Sequence, residues 1–372
     1  MKRNLRRVLA MLCTVALVTG ASPLTILAAE IEEAVGVNEQ EEGMALSEDP
    51  LKEDIERETE AVSTAPLNDG EYPWSGECGK EGSSVHWAVS GSNDDLTLTI
   101  SGKGEMEDEK YTGGPWGEKY IGYKIKHLII SDGITSIGGY AFYNCEGLED
   151  VSFSSSLKSI GDYAFWSCAK LNEVTLPSGL EWIGNAAFGN CSGLQSIILP
   201  ATLKSIGIST EGYQSTIFGG CSRLEDISVE QGSQFFSSED GVLFDREKTI
   251  LYRYPEGKTD TTYNLPSTVE TLFNGAFWGA RNLTSFPSGA SNLRVIHYNA
   301  FSHCKFDDIT IPDTVEVLGQ SDNLYEVTSL HLPSNLKVLC DYLYNKYDNN
   351  YNYCSLPIDS VNSFSIELDD SK

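Results

Sequence analysis

The sequence is poor in positive charge. It has 26 Lys and Arg against 54 Asp and Glu, a formal net charge of −28 over 372 residues. Proteins that bind nucleic acids or anionic membrane surfaces do so through clusters of basic residues. The composition therefore argues against a nucleic-acid partner and against binding to an anionic membrane.

The sequence also lacks the short motifs that mark catalytic and metal sites. It has no C-x-x-C, H-E-x-x-H or G-x-S-x-G and no D-x-[DN]-x-[DN]-G calcium loop. His303 beside Cys304 resembles a nucleophile with its base, but neighbouring side chains in an extended chain point in opposite directions. We therefore predict a non-catalytic protein with no cofactor and no metal site.

Long apolar runs are missing as well. The longest near the N-terminus, Val8–Val18, is about half the length of a membrane-spanning helix, which needs about 20 residues. Four basic residues between Lys2 and Arg7 precede this run, and small residues follow it up to Ala29. This layout is typical of a secretory signal peptide rather than a membrane anchor. It predicts a secreted or cell-surface protein, with no membrane insertion after the signal is removed.

The next segment is acidic and contains no aromatic residue. There are 13 acidic residues between Glu30 and Glu60. So little apolar surface cannot offset the conformational entropy that folding costs. Residues 30–70 are therefore predicted to form a flexible linker.

A spacing of 23 residues organises most of the remaining chain. It separates the successive members of three series. These are Ile137, Ile160, Ile183 and Ile206; Phe142, Phe165 and Phe188; and Cys145, Cys168 and Cys191. A fixed period of this length indicates a solenoid, in which each repeat covers the apolar side of the next. We predict one continuous internal column formed by Phe142, Phe165, Phe188, Phe218, Phe277 and Phe301.

Two insertions interrupt the period. Seven extra residues lie around STEGYQS, and 36 extra residues precede Phe277. The longer insertion contains DGVLFDREKTILYRYPEGK, two alternating apolar runs around a polar turn, which is typical of a β-hairpin. We expect this hairpin, near 235–260, to project from the solenoid.

The Ile-Gly, Ala-Phe, Cys and Leu offsets and the EDGVLFDREKTILYRYPEGK insertion resemble the BspA-like leucine-rich repeat proteins of bacterial and some protist surfaces. The resemblance covers roughly 71–347. It implies a leucine-rich repeat solenoid that is mainly β, with short helical or 3-10 turns in each repeat. It also implies recognition or adhesion rather than catalysis. Before the repeats, Val85, Trp87 and Val89 alternate along one strand opposite Leu96, Leu98 and Ile100, which predicts a hairpin that caps the solenoid.

The predicted organisation has five parts. These are a signal peptide (1–29), an acidic linker (30–70), an N-terminal β module with a capping role (71–124), a solenoid of about eight coils of the 23-residue type (125–347), and a C-terminal tail (348–372).

Two surfaces of the solenoid are candidates for ligand binding. One is the solvent-facing side of the repeat strands, with Asp150, Glu173, Thr175 and Asp226. The other is an aromatic edge at the Ala-Phe turn, with Tyr140, Tyr143, Tyr163, Trp166 and Trp182. Exposed aromatic side chains provide large, rigid contact areas. The alternatives are that the aromatic residues pack on adjacent coils and that the strand face is only solvated.

The expected ligand is an extracellular protein or glycan, and the alternative function is a structural spacer in the bacterial cell envelope. Five repeat cysteines are predicted to be free, buried thiols, namely Cys145, Cys168, Cys191, Cys221 and Cys304. Cys78 has no evident partner. The sequence leaves undecided whether Cys340 and Cys354 form a disulfide.

Overall fold

The computed structural model of this chain describes residues 74–92, 94–109, 113–118, 121–207, 216–306, 308–319, 329–341, 354–357 and 365–367. The predicted signal peptide and acidic linker lie outside these residues. In the described part, the strands before the first regular turn are β1 (Trp74–Glu77), β2 (Ser84–Ser92), β3 (Asp95–Glu105), β4 (Ile125–Ile130) and β5 (Ile134–Ile137).

The strands of the following repeats are short. They are β6 (Asp150–Ser152), β7 (Ser159–Ile160), β8 (Glu173–Thr175), β9 (Trp182–Ile183), β10 (Ser196–Leu199), β11 (Ser205–Ile206) and β12 (Asp226–Val229). The second half has β13 (Phe236–Glu239), β14 (Val242–Asp245), β15 (Ile250–Arg253), β16 (Thr271–Leu272), β17 (Val295–Ile296), β18 (Asp308–Thr310) and β19 (Val317–Gly319). The last strands are β20 (Ser329–His331), β21 (Val338–Asp341), β22 (Cys354–Pro357) and β23 (Ser365–Glu367).

The chain is a mainly β repeat protein with a solenoid-like arrangement and almost no helix. Each regular repeat adds one short parallel strand to each of two ladders. The face ladder contains β4 paired with β6, followed by β8, β10 and β12 paired in that order, and the Ile ladder contains β5, β7, β9 and β11. The long strand β3 starts both ladders, because it pairs with β4 near its beginning and with β5 at its end.

The 23-residue period sets the register of these ladders. Ile137 lies opposite Ile160, which in turn lies opposite Ile183. The side chain at a given repeat position therefore contacts its equivalent in the next coil. The predicted N-terminal hairpin also forms, since β2 and β3 are antiparallel and Trp87 lies opposite Ile100.

The turns of the repeats are not helical. The described residues contain only one short α-helix, α1 (Pro115–Glu118), and one 3-10 turn (Gly122–Lys124). The expectation of a helical or 3-10 turn in each repeat is therefore wrong. The reason is local, because residues two before and two after the repeat Phe have left-handed φ values, as at Tyr163 (54°) and Ser167 (60°), which interrupt helical geometry. Within the described ranges, no helix is long and apolar enough to cross a membrane.

The repeat Phe rings stack inside the solenoid, but not as one continuous column. Phe165 is fully buried, with ring centroids 5.1 Å from Phe142 and 5.2 Å from Phe188. Phe218 lies 6.5 Å beyond Phe188 and ends this stack. A second stack contains Tyr254, Phe277 and Phe301, with spacings of 5.3 and 5.5 Å. The prediction of a single column is wrong because the long insertion contributes a coil in which Arg253 and Tyr254 replace Ala and Phe.

The long insertion forms the predicted hairpin, but the hairpin does not project. Strands β14 and β15 are antiparallel, and β15 continues the Ile ladder of the second half by pairing in parallel with β16. Phe244 and Leu251 are completely buried. The expectation of a projecting hairpin is wrong because both of its apolar runs pack in the core.

The repeat cysteines are free, buried thiols, as predicted. Four of the five donate their S–H to the carbonyl of the Phe in the preceding coil, for example at 3.4 Å for Cys168 and Phe142 and 3.1 Å for Cys191 and Phe165. Cys78 is likewise free and buried. The cysteine ladder therefore ties adjacent coils together without disulfides.

Charged side chains alternate in sign along the outer side of the Ile ladder. The Glu181 carboxylate lies 3.6 Å from the Lys158 ammonium and 2.5 Å from that of Lys204, one coil on either side. A second trio has the same arrangement, Arg294, Glu316 and Lys337. Each Glu is thus placed between two cations of neighbouring coils.

The predicted C-terminal tail (348–372) contains two strands. β22 pairs antiparallel with β21, and β23 pairs antiparallel with β20. The backbones of Cys340 and Cys354 belong to the paired strands β21 and β22. Their side chains lie outside the described part, so a disulfide between them stays an open alternative.

Candidate functional site

The solvent-facing side of the face ladder presents two parallel rows of side chains. Each strand contributes one residue to each row, because residues two apart on a strand point to the same side. The acidic row contains His127, Asp150, Glu173, Ser196 and Asp226. The neutral row contains Ile129, Ser152, Thr175, Ile198 and Ser228. Together they form the open face.

The acidic row keeps most of its charge accessible to solvent. Asp150 and Glu173 are exposed, and Asp226 is half-buried. The Ser228 hydroxyl donates a hydrogen bond to Asp226 Oδ1, which fixes this carboxylate against the strand. The structure thus brings Asp150, Glu173 and Asp226 into one row, as the sequence predicted.

His127 lies at the N-terminal end of the acidic row between two carboxylates. Its Nδ1 is 2.6 Å from Asp150 Oδ2, and its Nε2 is 3.3 Å from Asp95 Oδ1. The hydrogen bond to Asp150 is the main cause that raises the pKa of His127 above its ordinary value. A protonated His127 would partly neutralise this end of the row, which leaves Glu173 and Asp226 as its more available anions.

The neutral row exposes branched apolar side chains among hydroxyl groups. Thr175 is exposed, and Ile129 and Ile198 are 42% and 57% exposed. Across five strands about 4.8 Å apart, the open face is on the order of 20 Å long. The surface can therefore make both ionic and apolar contacts with a partner.

The aromatic edge is packed rather than open. Tyr143 is only 6% exposed, so the expectation that it lies on an outer turn is wrong. The rings of Tyr140 and Tyr163 stack at 4.9 Å, and Trp166 lies 5.5 Å from Tyr163. These rings cover one another because the period places aromatic residues on successive coils.

Two other contacts show the same packing. A Cβ added at Gly189 would lie 2.2 Å from the Trp166 ring, so Trp166 lies directly on the next coil. Trp182 is half-buried in β9 between Ser159 and Ser205. A ligand-binding role for Tyr140, Tyr163, Trp166 and Trp182 stays a prediction.

The pair His303 and Cys304 has no geometry suited to nucleophilic catalysis. The Cys304 thiol donates to the Phe277 carbonyl at 3.0 Å, and burial raises its pKa to about 12. A catalytic cysteine needs a lowered pKa. Within the residues that the structure describes, no three His, Cys, Asp or Glu side chains form a group that could hold a metal ion.

Sequence reasoning missed two residues of the open face and one pair inside the solenoid. His127 and Ile129 precede Asp150 and Ser152 by 23 residues, so the period extended one coil upstream would have found them. Arg253 and Glu256 form a buried ion pair with an N–O distance of 2.7 Å. Its signal was weak, because RYPEG resembles the Ala-Phe-x-x-Cys unit only through Tyr254.

Comparison with known protein families identifies the same repeat. A family model described as BspA type leucine rich repeat region matches residues 119–239 and 256–365 in six copies. The chain belongs to the BspA-type leucine-rich repeat family. A comparison with curated protein sequences found no match.

Solved structures of similar proteins include other bacterial leucine-rich repeat chains. A leucine-rich repeat protein from Eubacterium ventriosum is 25% identical to this BspA-type chain, with 72% of each chain covered and a TM-score of 0.52. The pneumococcal vaccine antigen PcpA is 21% identical over 71% of this chain and 82% of its own, with a TM-score of 0.45. A leucine-rich cell surface protein from Faecalibacterium prausnitzii is 18% identical over 71% of this chain and 95% of its own, with a TM-score of 0.30.

Proposed function

We propose that this BspA-type chain is a non-catalytic recognition protein, secreted or held at the cell surface, that binds an extracellular protein through the open face. The observation that carries the proposal is the contrast between the two candidate surfaces. The open face exposes Asp150, Glu173 and Thr175, whereas Tyr143 of the aromatic edge is buried. Binding energy concentrates in side chains that a partner can reach and desolvate.

The charge of the open face favours a protein over an acidic glycan or a nucleic acid. Nucleic acids and acidic glycans would be repelled by the acidic row. A protein segment that combines basic and apolar side chains can satisfy both the acidic and the neutral row. Adhesion to host or microbial macromolecules is the corresponding biological role.

The decisive experiment is capture of the chain on immobilised extracellular-matrix proteins and glycans. The variant Glu173→Lys with Asp226→Lys should weaken capture at least tenfold, because each change replaces an attraction by a repulsion. The matched control, Glu247→Lys with Glu270→Lys, makes the same charge change at exposed positions outside the open face and should keep near-normal capture. Equal loss in both variants would show that only net charge matters and would contradict the proposal.

The alternative function is a structural spacer of the bacterial cell envelope. A spacer would show no saturable capture on any of these ligands, and both charge variants would behave like the parent chain. Cell fractionation of the native organism, with the chain found in the medium or on the cell surface, would test the proposed location. Recovery only from the cytoplasm would contradict it.

We also propose that the N-terminal module (71–124) caps a solenoid of about eight coils. Two contacts support the capping role. Strand β3 pairs with the first strand of both ladders, and the Trp116 ring stacks on Phe142 at 5.2 Å. A terminal coil needs such cover because its apolar side would otherwise face water. Trp116→Ala should therefore lower the stability of the first coils.

A further inference from the structure

The interior of the solenoid changes character between Phe218 and Tyr254. Among the described residues, the ring stack that passes through Phe188 ends at Phe218, and a new one begins at Tyr254. The buried apolar side chains likewise form two clusters. The first runs through Leu224 and Ile227 and takes in Phe236, Leu243 and Phe273 from the far side, and the second starts in the hairpin and ends near Val315. We call this boundary the seam.

The β-sheets also stop at the seam. The nine-stranded sheet, which includes β4 and β6, ends at β11, and the three-stranded sheet of β8, β10 and β12 ends at β12. The eight-stranded sheet begins at β13. Within the described ranges, no sheet crosses from β12 to β13, where the backbone contact is reduced to single bonds such as Ile227 N–H to the Gly241 carbonyl at 3.0 Å. The face ladder also divides between β6 and β8, but there the Ile ladder runs past the division without a break. The first block comprises the coils up to β12, and the second block those from β13 to β19.

A buried ion pair makes contacts across the seam. The Arg253 guanidinium donates to the Phe218 carbonyl of the first block at 3.3 Å and to the Gly275 carbonyl of its own block at 2.7 Å. It also lies 2.7 Å from Glu256 Oε1. The same carboxylate oxygen accepts the Gly220 N–H of the first block at 2.6 Å.

These side-chain hydrogen bonds take the place of the backbone–backbone hydrogen bonds that join regular coils. In the first block the Asn144 N–H, two residues after the repeat Phe, donates to the Trp166 carbonyl of the next coil at 2.8 Å. Gly220 has the same position relative to Phe218, but its N–H donates to the Glu256 carboxylate. Both charged side chains are nearly inaccessible, with exposures of 1% and 8%. A few backbone bonds, such as Gly257 N–H to the Leu224 carbonyl at 2.7 Å, complete the contact.

The contact between the two blocks is stable only while both charged side chains are present. Removing one partner of a buried ion pair leaves an uncompensated charge, which destabilises far more than the loss of an exposed pair. Stacked repeats are coupled chiefly to their nearest neighbours, so a weak interface divides the array into separate cooperative units. Phe236, Leu243 and Phe273 of the second block belong to the first cluster and provide apolar contact between the blocks.

We propose that the solenoid consists of two cooperative blocks that open at the seam, and that Arg253 and Glu256 form the latch that couples them. The open face lies entirely in the first block, on β4 to β12. Opening at the seam therefore leaves the open face intact while the second block separates.

Hydrogen exchange followed by mass spectrometry on the full chain tests the two blocks directly. In low denaturant, peptides from 125–206 should share one opening rate and peptides from 265–318 a different one, at least tenfold apart. A single common rate for both sets would overturn the division into blocks. This comparison uses the unmodified chain, so it does not depend on any variant folding.

The latch is tested by Glu256→Gln, which keeps the shape of the side chain and removes its charge. Exchange of peptides that span Gly220 should become at least tenfold faster. Glu181→Gln, at an exposed ion pair inside the first block, is the matched control and should change exchange less than about threefold. Equal effects in the two variants would overturn the latch. If Glu256→Gln does not fold, the double variant Arg253→Met with Glu256→Gln removes both charges. Equal exchange rates of peptides that span Gly220 in this variant and in the parent chain would also overturn the latch.

Discussion

Phe165 offers the most direct measure of what the ring stack contributes to stability. Its side chain is completely buried, and it touches three rings: Phe142 and Phe188 in stacked contact, and Phe153 at 5.8 Å in an edge contact. Phe165→Ala should lower the free energy of unfolding by about 4 to 5 kcal/mol, near the upper end of the usual range for buried Phe. The reason is that the coils on both sides are fixed by their own strands and can close only part of the cavity.

The assay is denaturant unfolding followed by tryptophan fluorescence. Phe235→Ala is the matched control, since the same atoms are deleted from a side chain that is 47% exposed. It should cost less than about 1 kcal/mol. A Phe165→Ala loss below about 1 kcal/mol, or equal losses in the two variants, would refute the account of the stack.

Three further predictions test the edge, the histidine and the thiols. Replacing Tyr143 and Trp166 together by Ser should lower stability by about 2 kcal/mol or more, because these rings fill space between coils; unchanged denaturation midpoints would restore the interpretation of an exposed edge. An NMR titration should give His127 a pKa above 6.5, and Asp150→Asn should lower it towards that value. Because the pKa is raised in the folded chain, the stabilisation is complete below the pKa of the unfolded chain and is lost as pH rises through the folded pKa; a pKa at or below 6.5 would contradict the bridged geometry. Burial raises the pKa of Cys145 to about 12, so this thiol should not react rapidly with Ellman's reagent in the native chain. Cys145→Ser should therefore leave the native count of reactive thiols unchanged and lower the count in denaturant by one. A native count lower by one would mean that this thiol is accessible.

The sequence predicted the features that follow from exact repetition. A spacing of 23 residues is enough to place Ile137 against Ile160 and to align Glu173 with Asp226 in one row, because parallel strands in register repeat each side chain. The buried thiols follow from the same rule. Asp150 and Thr175 were found because alternation along a strand is a property of the backbone.

The sequence could not predict features in which one coil differs from its neighbours. Tyr143 follows the buried Phe142 directly and was expected to face solvent, but left-handed residues on both sides turn the chain so that both side chains are buried. Arg253 occupies the place of a repeat Ala and is buried only because Glu256 and two backbone carbonyls surround it. Such contacts depend on three-dimensional proximity between coils, which a spacing does not specify.

The alternating charges on the Ile ladder would favour the correct order of coils during assembly. Repeats of nearly the same sequence can pair with the wrong neighbour, because every coil presents the same apolar edge. If a nascent coil skipped one position, Lys158 would lie beside Lys204 about 4.8 Å away, and like charges directly opposite each other destabilise a strand pair. The correct order instead places Glu181 between them. Loss of the single coil that carries Glu181 would create the same clash, so this region should tolerate the gain or loss of coils in pairs better than one at a time.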